Sequence, residues 1–177
     1  MIAGTTAPAR ADGDRVWRLA QRFPTGVSVV TAGAGNTVRG GTVSAFCLVS
    51  RDPALVSVCL RRGSGLLDLI RRHDCFTVNV LSGEQAWVAR HFASRFRATG
   101  HSQFDGIGWT PGEAGEPRLT ETLCWLHCRP RARVAAGDHE LILAQVLTMA
   151  EGTGRTPLLY FAGALHPGDI EIEDENR

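Results

Sequence analysis

At 177 residues, with 44% hydrophobic and 21% charged side chains, the chain has the size and composition of one folded domain with a sizeable core. Its formal net charge of +1, from 19 basic and 18 acidic residues, argues against a nucleic-acid backbone or an anionic membrane as partner. Every basic residue is arginine, so Schiff-base lysine chemistry and a Walker-type phosphate lysine are both excluded.

Residues 1–13 are rich in Ala, Gly and Thr without periodicity, and read as a mobile arm. Met1 to Pro8 lacks the apolar stretch of a secretory signal and no run is long enough for a membrane helix, so a cytoplasmic protein is expected. From Asp14, a possible cap, Val16, Leu19, Ala20 and Phe23 fall at helical spacing until Pro24 ends the helix. Gly26 to Ala32 is β-branched, Gly33-Ala34-Gly35-Asn36 is turn chemistry, and Val38 to Phe46 is extended again, which predicts a hairpin. After a turn at Asp52-Pro53, Leu55 to Leu60 reads as a strand. Ser64 then caps a helix over Gly65 to Arg72, with Leu66, Leu67, Leu69 and Ile70 as its apolar face.

Cys75 to Leu81 returns to strand, and Ser82-Gly83-Glu84-Gln85 has the form of a capping box opening a helix to about Phe92. The Gly- and Pro-containing stretch from Ser94 to Arg118 shows no sustained period and reads as a long surface loop. Thr122 to Val134 and Glu140 to Ala150 form a long hairpin about Ala135-Ala136-Gly137-Asp138-His139, Pro157 to Ala162 adds a strand, and 167–177 is an acidic tail. Six or so strands with three short helices and no regular βα alternation indicate an antiparallel α+β barrel.

The five cysteines, Cys47, Cys59, Cys75, Cys124 and Cys128, are odd in number and mostly inside apolar runs, which suits reduced thiols. Cys124, Leu126 and Cys128 alternate onto one strand face with His127 on the other, and no second ligand pair follows, so a metal site is not expected. Gly33-Ala34-Gly35-Asn36-Thr37-Val38 fails as a dinucleotide fingerprint, because Val38 replaces the third glycine and no helix follows. Gly63-Ser64-Gly65 lacks the strand-turn-helix elbow of an acyl-transfer nucleophile. Asp138 and His139, as chain neighbours in a turn, are not expected to point at each other.

Two features suit a phosphate-bearing ligand. Ser64 stands at a helix start with Arg61 and Arg62 just upstream. Gly40-Gly41-Thr42-Val43-Ser44 combines side-chain-free backbone with two hydroxyls at alternate strand positions. Each alone is more readily read as a capped helix or a glycine-bent strand.

Taken in order, Phe23-Pro24-Thr25-Gly26-Val27-Ser28-Val29-Val30-Thr31, Gly41-Thr42-Val43-Ser44-Ala45-Phe46, Val49-Ser50 with Asp52-Pro53, Ser64 and Phe76-Thr77-Val78-Asn79-Val80-Leu81 with Gln85 resemble the short-chain flavin reductases. Phe104-Asp105-Gly106, Gly137-Asp138-His139 and Pro157-Leu158-Leu159-Tyr160 extend the resemblance, which runs from about residue 14 to 166. It implies a six-stranded antiparallel Greek-key split barrel and a homodimer that frames the flavin site. It also implies hydride transfer from NADH or NADPH to FMN or FAD, with reduced flavin passing to a partner flavin-dependent monooxygenase. By the same resemblance Thr42, Val43, Ser44 and Ala45, with the turn of Leu60, Arg61, Arg62 and Ser64, bind the ribityl and phosphate portion. Ser50 lies near the ring, Thr25 at its edge, and His139 at the nicotinamide side.

The chain departs from the family pattern at Ala45, where a second serine is common, at Arg51 and Ala54 around the turn, and at Ala144 in place of a frequent glycine. Two rival readings stay open: a flavin- or haem-binding barrel without turnover, and a flavoenzyme that keeps its flavin and acts on its own small substrate.

Overall fold

The computed structural model describes residues 10–170; most of the expected arm and of the acidic tail lies outside them. Helix α1 (Gly13–Ala20) is capped by Asp12 rather than Asp14, whose place is inside the first turn. It stops before Phe23 because a residue that precedes proline is driven out of the helical region, and the chain turns into β1 (Thr25–Gly26). The predicted hairpin is β2 (Ser28–Ala32) and β3 (Arg39–Val43), paired from Ser28↔Val43 to Ala32↔Arg39. Gly33 and Gly35, at φ 89° and 53°, supply the left-handed backbone of its turn.

Phe46 does not continue that hairpin: β4 (Phe46–Arg51) is a separate strand, paired with β5 (Ala54–Arg61). As predicted, Ser64 caps α2 (Gly65–His73), its Oγ accepting the Leu67 N–H at 3.3 Å. After β6 (Phe76–Val80), Gln85 Oε1 accepts the Ser82 N–H at 3.1 Å, and a single 3-10 turn leads into α3 (Ala86–Ala93).

The stretch 94–118 is more ordered than its lack of period suggested. It holds a 3-10 turn over Gly100–Phe104 and a small hairpin of β7 (Trp109–Pro111) and β8 (Pro117–Leu119). Side-chain hydrogen bonds, which have no sequence period, do much of the fastening. Buried Gln103 accepts the Gly40 N–H and donates to Val38 O, both at 3.0 Å. The Phe104 ring packs 5.1 Å from that of Phe92 and 5.8 Å from that of Trp109. Strands β9 (Cys124–Ala136) and β10 (His139–Glu151) make the long hairpin, followed by β11 (Leu158–Phe161) and β12 (Ala164–Pro167). Pro167 therefore belongs to a strand rather than to the start of the tail.

The main sheet has seven strands instead of six, in the order β3-β2-β6-β9-β10-β5-β4, every pair antiparallel. Its two edge strands, β3 and β4, are joined by Ser44 and Ala45 alone. Val43 and Phe46 are three steps apart and so within about 11 Å of each other, and the sheet must curl until its edges approach. The Cys59 N–H donates to Ala45 O at 3.2 Å and holds this corner against β5. Inside the curl lies a core of Val30, Val56, Val58, Phe76, Val78 and Ile142, with the predicted apolar face of α2 packed into it. A second core, including Val29, Val88, Phe92, Phe104 and Leu158, joins α3 and the small strands to the outside of β2 and β3.

Strand alternation works as expected in β9. Cys128 is buried in the first core with Leu126 packed against that core, while His127 faces the other way and stands 2.8 Å from Glu116. The cysteines carry free thiols, and burial pushes that of Cys128 up to about 12; Cys47, by contrast, is exposed.

Candidate active site

The corner between β3 and β4 opens onto two adjoining cavities. The larger, about 480 Å³, has walls of Val27, Thr42, Ser44, Ala89, Arg90 and Tyr160, among others; the smaller, about 280 Å³, includes Thr25, Ser44, Ala45, Phe23 and Tyr160. Trp17 borders both. Mostly apolar walls with a few convergent hydroxyls are what a flat aromatic ligand requires. Of the sequence-selected residues, Thr25, Thr42, Ser44 and Ala45 are thus brought together.

Their hydroxyls are not equivalent. Thr42 spends its proton on Ala89 O at 2.7 Å, tying β3 to α3, and keeps only lone pairs for a ligand. Ser44 is exposed at the mouth of both cavities. Thr25 Oγ1 is buried with no hydrogen-bond partner, an arrangement that costs free energy until a polar ligand atom arrives.

Val43 and Leu60 point into the first core, so only their backbone is available to a ligand. Gly40 and Gly41 serve packing rather than ligand approach. A Cβ at Gly40 would meet the Phe92 ring at 2.5 Å, and one at Gly41 would meet Leu66 at 3.0 Å.

A second locus forms where the β5–α2 turn meets the β9–β10 turn. Arg61, Arg62, Gly63, Arg71, Gly137 and Asp138 line a cavity of about 530 Å³. The Arg62 N–H donates to Asp138 O at 2.9 Å, and its guanidinium to Gly137 O at 3.3 Å. His139 sits directly across from Arg61 in the ladder. Contrary to expectation, His139 does meet its neighbour: its Nδ1 lies 2.9 Å from Asp138 Oδ1. Gly137, at φ 61°, bends the turn tightly enough to allow this. The imidazole contact holds the Asp138 carboxyl below its ordinary value. Ser64, one residue beyond Gly63, uses its oxygen for the α2 cap and retains a proton to donate.

Ser50, expected near the ring, is not among the residues that line the two corner cavities; it pairs with Leu55 on β5.

Sequence reading missed Trp17, Arg90 and Tyr160. Tyr160 carried a signal, being the only tyrosine in the chain and the ladder partner of Thr25. Trp17 looked like an ordinary member of an amphipathic helix, yet α1 buries none of its side chains.

A model of the flavin reductase like domain matches residues 20–169. The chain belongs to this family. Among flavin reductase relatives, an NADPH-flavin oxidoreductase of Streptomyces viridifaciens is 42% identical over 96% of this chain and 89% of its own length. The crystal structure of BorF, the flavin reductase component of a bacterial two-component tryptophan halogenase, superposes with a TM-score of 0.82 at 32% identity. That match covers 89% of this chain and 98% of BorF. The NADH:FAD oxidoreductase SgcE6 of Streptomyces globisporus, in complex with NAD and FAD fragments, gives 0.80 at 30% identity over 97% of this chain and all of its own. These flavin reductase neighbours are consistent with an antiparallel, mainly β fold carrying a few short helices.

Proposed function

We propose that this chain is an NAD(P)H:flavin oxidoreductase that reduces FMN or FAD and passes reduced flavin to a flavin-dependent monooxygenase. The observation that carries this reading is the apolar cleft at the β3–β4 corner, with the unpartnered Thr25 hydroxyl buried at its side. A bound flavin supplies the hydride-accepting N5 atom, and the nicotinamide C4 supplies the hydride. The chain's own task is to bind and orient: Thr25 and Ser44 address the ring edge and ribityl chain, and Tyr160 and Trp17 wall the cleft. His139 and the Arg61–Ser64 turn serve the nucleotide ends.

The experiment is dialysis followed by a flavin-bleaching assay. Colourless protein that bleaches added FMN or FAD with NADH or NADPH supports the reductase. Protein that stays yellow through dialysis supports a retained prosthetic flavin, and protein that never bleaches flavin overturns both.

The joined edges of the seven-stranded sheet support a split-barrel description, and the outer face of β9, β10, β5 and β4 supports a homodimer. Because Val56, Val58, Leu60 and Ile142 point inward, the residues next to them along each strand point out. Val134, Leu141 and Cys59 form one outer row, and Ala132, Leu143, Ser57 and Cys47 the next. Helices α2 and α3 pack on β2 and β3, so this largely apolar face is left for a second copy to cover. Light scattering should give twice the 19.1 kDa chain mass at micromolar concentration; a monomer throughout would reject the dimer.

A further inference from the structure

Two arginines beside the first residues of β3 carry charge that the fold leaves unbalanced. Arg39 opens β3, and its guanidinium lies against the first residue of α2: a Cβ at Gly65 would stand 2.9 Å from both Cζ and Nε. Arg97, four residues past Ala93 of the cleft wall, donates to Ser94 O and, at 2.9 Å, to Gly40 O, next in the chain to Arg39. Both side chains are half-buried. Neither guanidinium pairs with a carboxylate among the described residues, and the Arg39 side chain makes no hydrogen bond there. Asp68, in the first turn of α2, is committed to Arg71 at 3.5 Å.

Desolvation and the charge of Arg39 both push the Arg97 pKa below its ordinary value. Half-buried like charges without a counter-ion weaken a fold. They are kept where a ligand brings the missing charge, which is the usual trade of stability for function. Arg39 faces α2 from the other side of β3, but the Arg97 guanidinium sits on Gly40 O, two residues along β3 from Thr42 of the cleft wall and about 7 Å from it, so a nucleotide seated in the cleft can extend its phosphoryl end along this strand to the pair. Arg61 and Arg62 differ, being exposed: the Arg61 charge acts on the Asp138 carboxyl, and the Arg62 guanidinium donates to Gly137 O.

We propose that Arg39 and Arg97 form an anion site for a phosphate monoester of the nucleotide bound in the cleft. This deepens the flavin-reductase reading and rests on it. The shared chemistry is a terminal dianionic phosphate, with the 5′-phosphate of FMN and the 2′-phosphate of NADPH as the two sources.

Arg39→Gln tests it, since that change breaks no hydrogen bond of the fold. Inorganic phosphate, exchanged for chloride at constant ionic strength, should raise the melting temperature of the wild type and leave that of R39Q unmoved. Without phosphate, R39Q should melt at or above the wild type, because a repulsion has been removed. Its dissociation constant should then rise about ten- to a hundredfold for FMN with riboflavin unchanged, which assigns the flavin phosphate. If instead the KM ratio of NADPH to NADH rises with FMN affinity unchanged, the site takes the 2′-phosphate.

A phosphate response lost in R39Q from a chain that binds no flavin leaves the anion site standing and removes the flavin reading. The proposal is overturned if wild type and R39Q respond alike to phosphate. It is overturned equally if R39Q melts below the wild type, or if a flavin-binding chain shows neither preference changed by the substitution.

Discussion

His139→Ala is expected to lower NAD(P)H-dependent turnover by about ten- to a hundredfold, a loss of roughly 1.4–2.8 kcal/mol in transition-state binding. Flavin affinity should move much less. The geometry favours a working imidazole over a passive turn residue. Asp138 Oδ1 engages Nδ1 at 2.9 Å, and Nε2 has no hydrogen bond among the described residues. A carboxylate on one ring nitrogen fixes the tautomer and aims the other. The turn that carries the pair is fastened to the β5–α2 turn through the Arg62 N–H and Asp138 O, so ring and arginines are held as one unit. No proton need leave the ring for hydride to move; its part is to hold the nicotinamide amide or the pyrophosphate. Full turnover of His139→Ala at subsaturating NADH would remove the residue from the site, and equal losses in flavin binding and turnover would move it to the flavin.

How far the sequence disclosed this site depends on the kind of signal each residue left. Ser64 was legible because a hydroxyl before an apolar helical face has one local meaning, and the cap is there. Thr25, Thr42, Ser44 and Ala45 converge because they flank the corner where the sheet's edges meet, a position that follows from strand order rather than from any local pattern. The same topology hid β4: Val38 to Phe46 looked continuous, and only the pairing of β4 with β5 shows that the chain changes edge at Ser44-Ala45. Gly40 and Gly41 were read as room for a ligand, whereas the space they leave belongs to Phe92 and Leu66. Arg39 and Arg97 left no signal, being 58 positions apart in the sequence and joined by the path of β3 past the end of α3.

Glu116 was the least legible residue and should have the largest effect on stability. It lies in the stretch read as a surface loop, yet it is buried with His127 Nδ1 at 2.8 Å and accepts from Thr77 Oγ1 at 2.9 Å and from the Ala114 N–H at 3.0 Å. The turn from Gly112 wraps so closely that a Cβ there would stand 2.1 Å from Glu116 Oε1. Burial opposes the charge, but the contacts with His127, its own backbone N–H and Thr77 outweigh it and bring the pKa from 4.5 down to about 2. A depressed carboxyl stabilises the fold above its unfolded pKa, and that stability is lost as pH falls from about 4.5 towards about 2. At full extent the difference is on the order of 3 kcal/mol. Glu116→Ala, which also strands His127 and Thr77, should cost about 3–5 kcal/mol at neutral pH, or on the order of 10 °C in melting temperature. Urea unfolding at neutral pH and through the acid range measures both effects. A Glu116→Ala protein within about 0.5 kcal/mol of the wild type, with the same acid limb, would show that His127 and Glu116 do not hold the β7–β8 hairpin to the sheet.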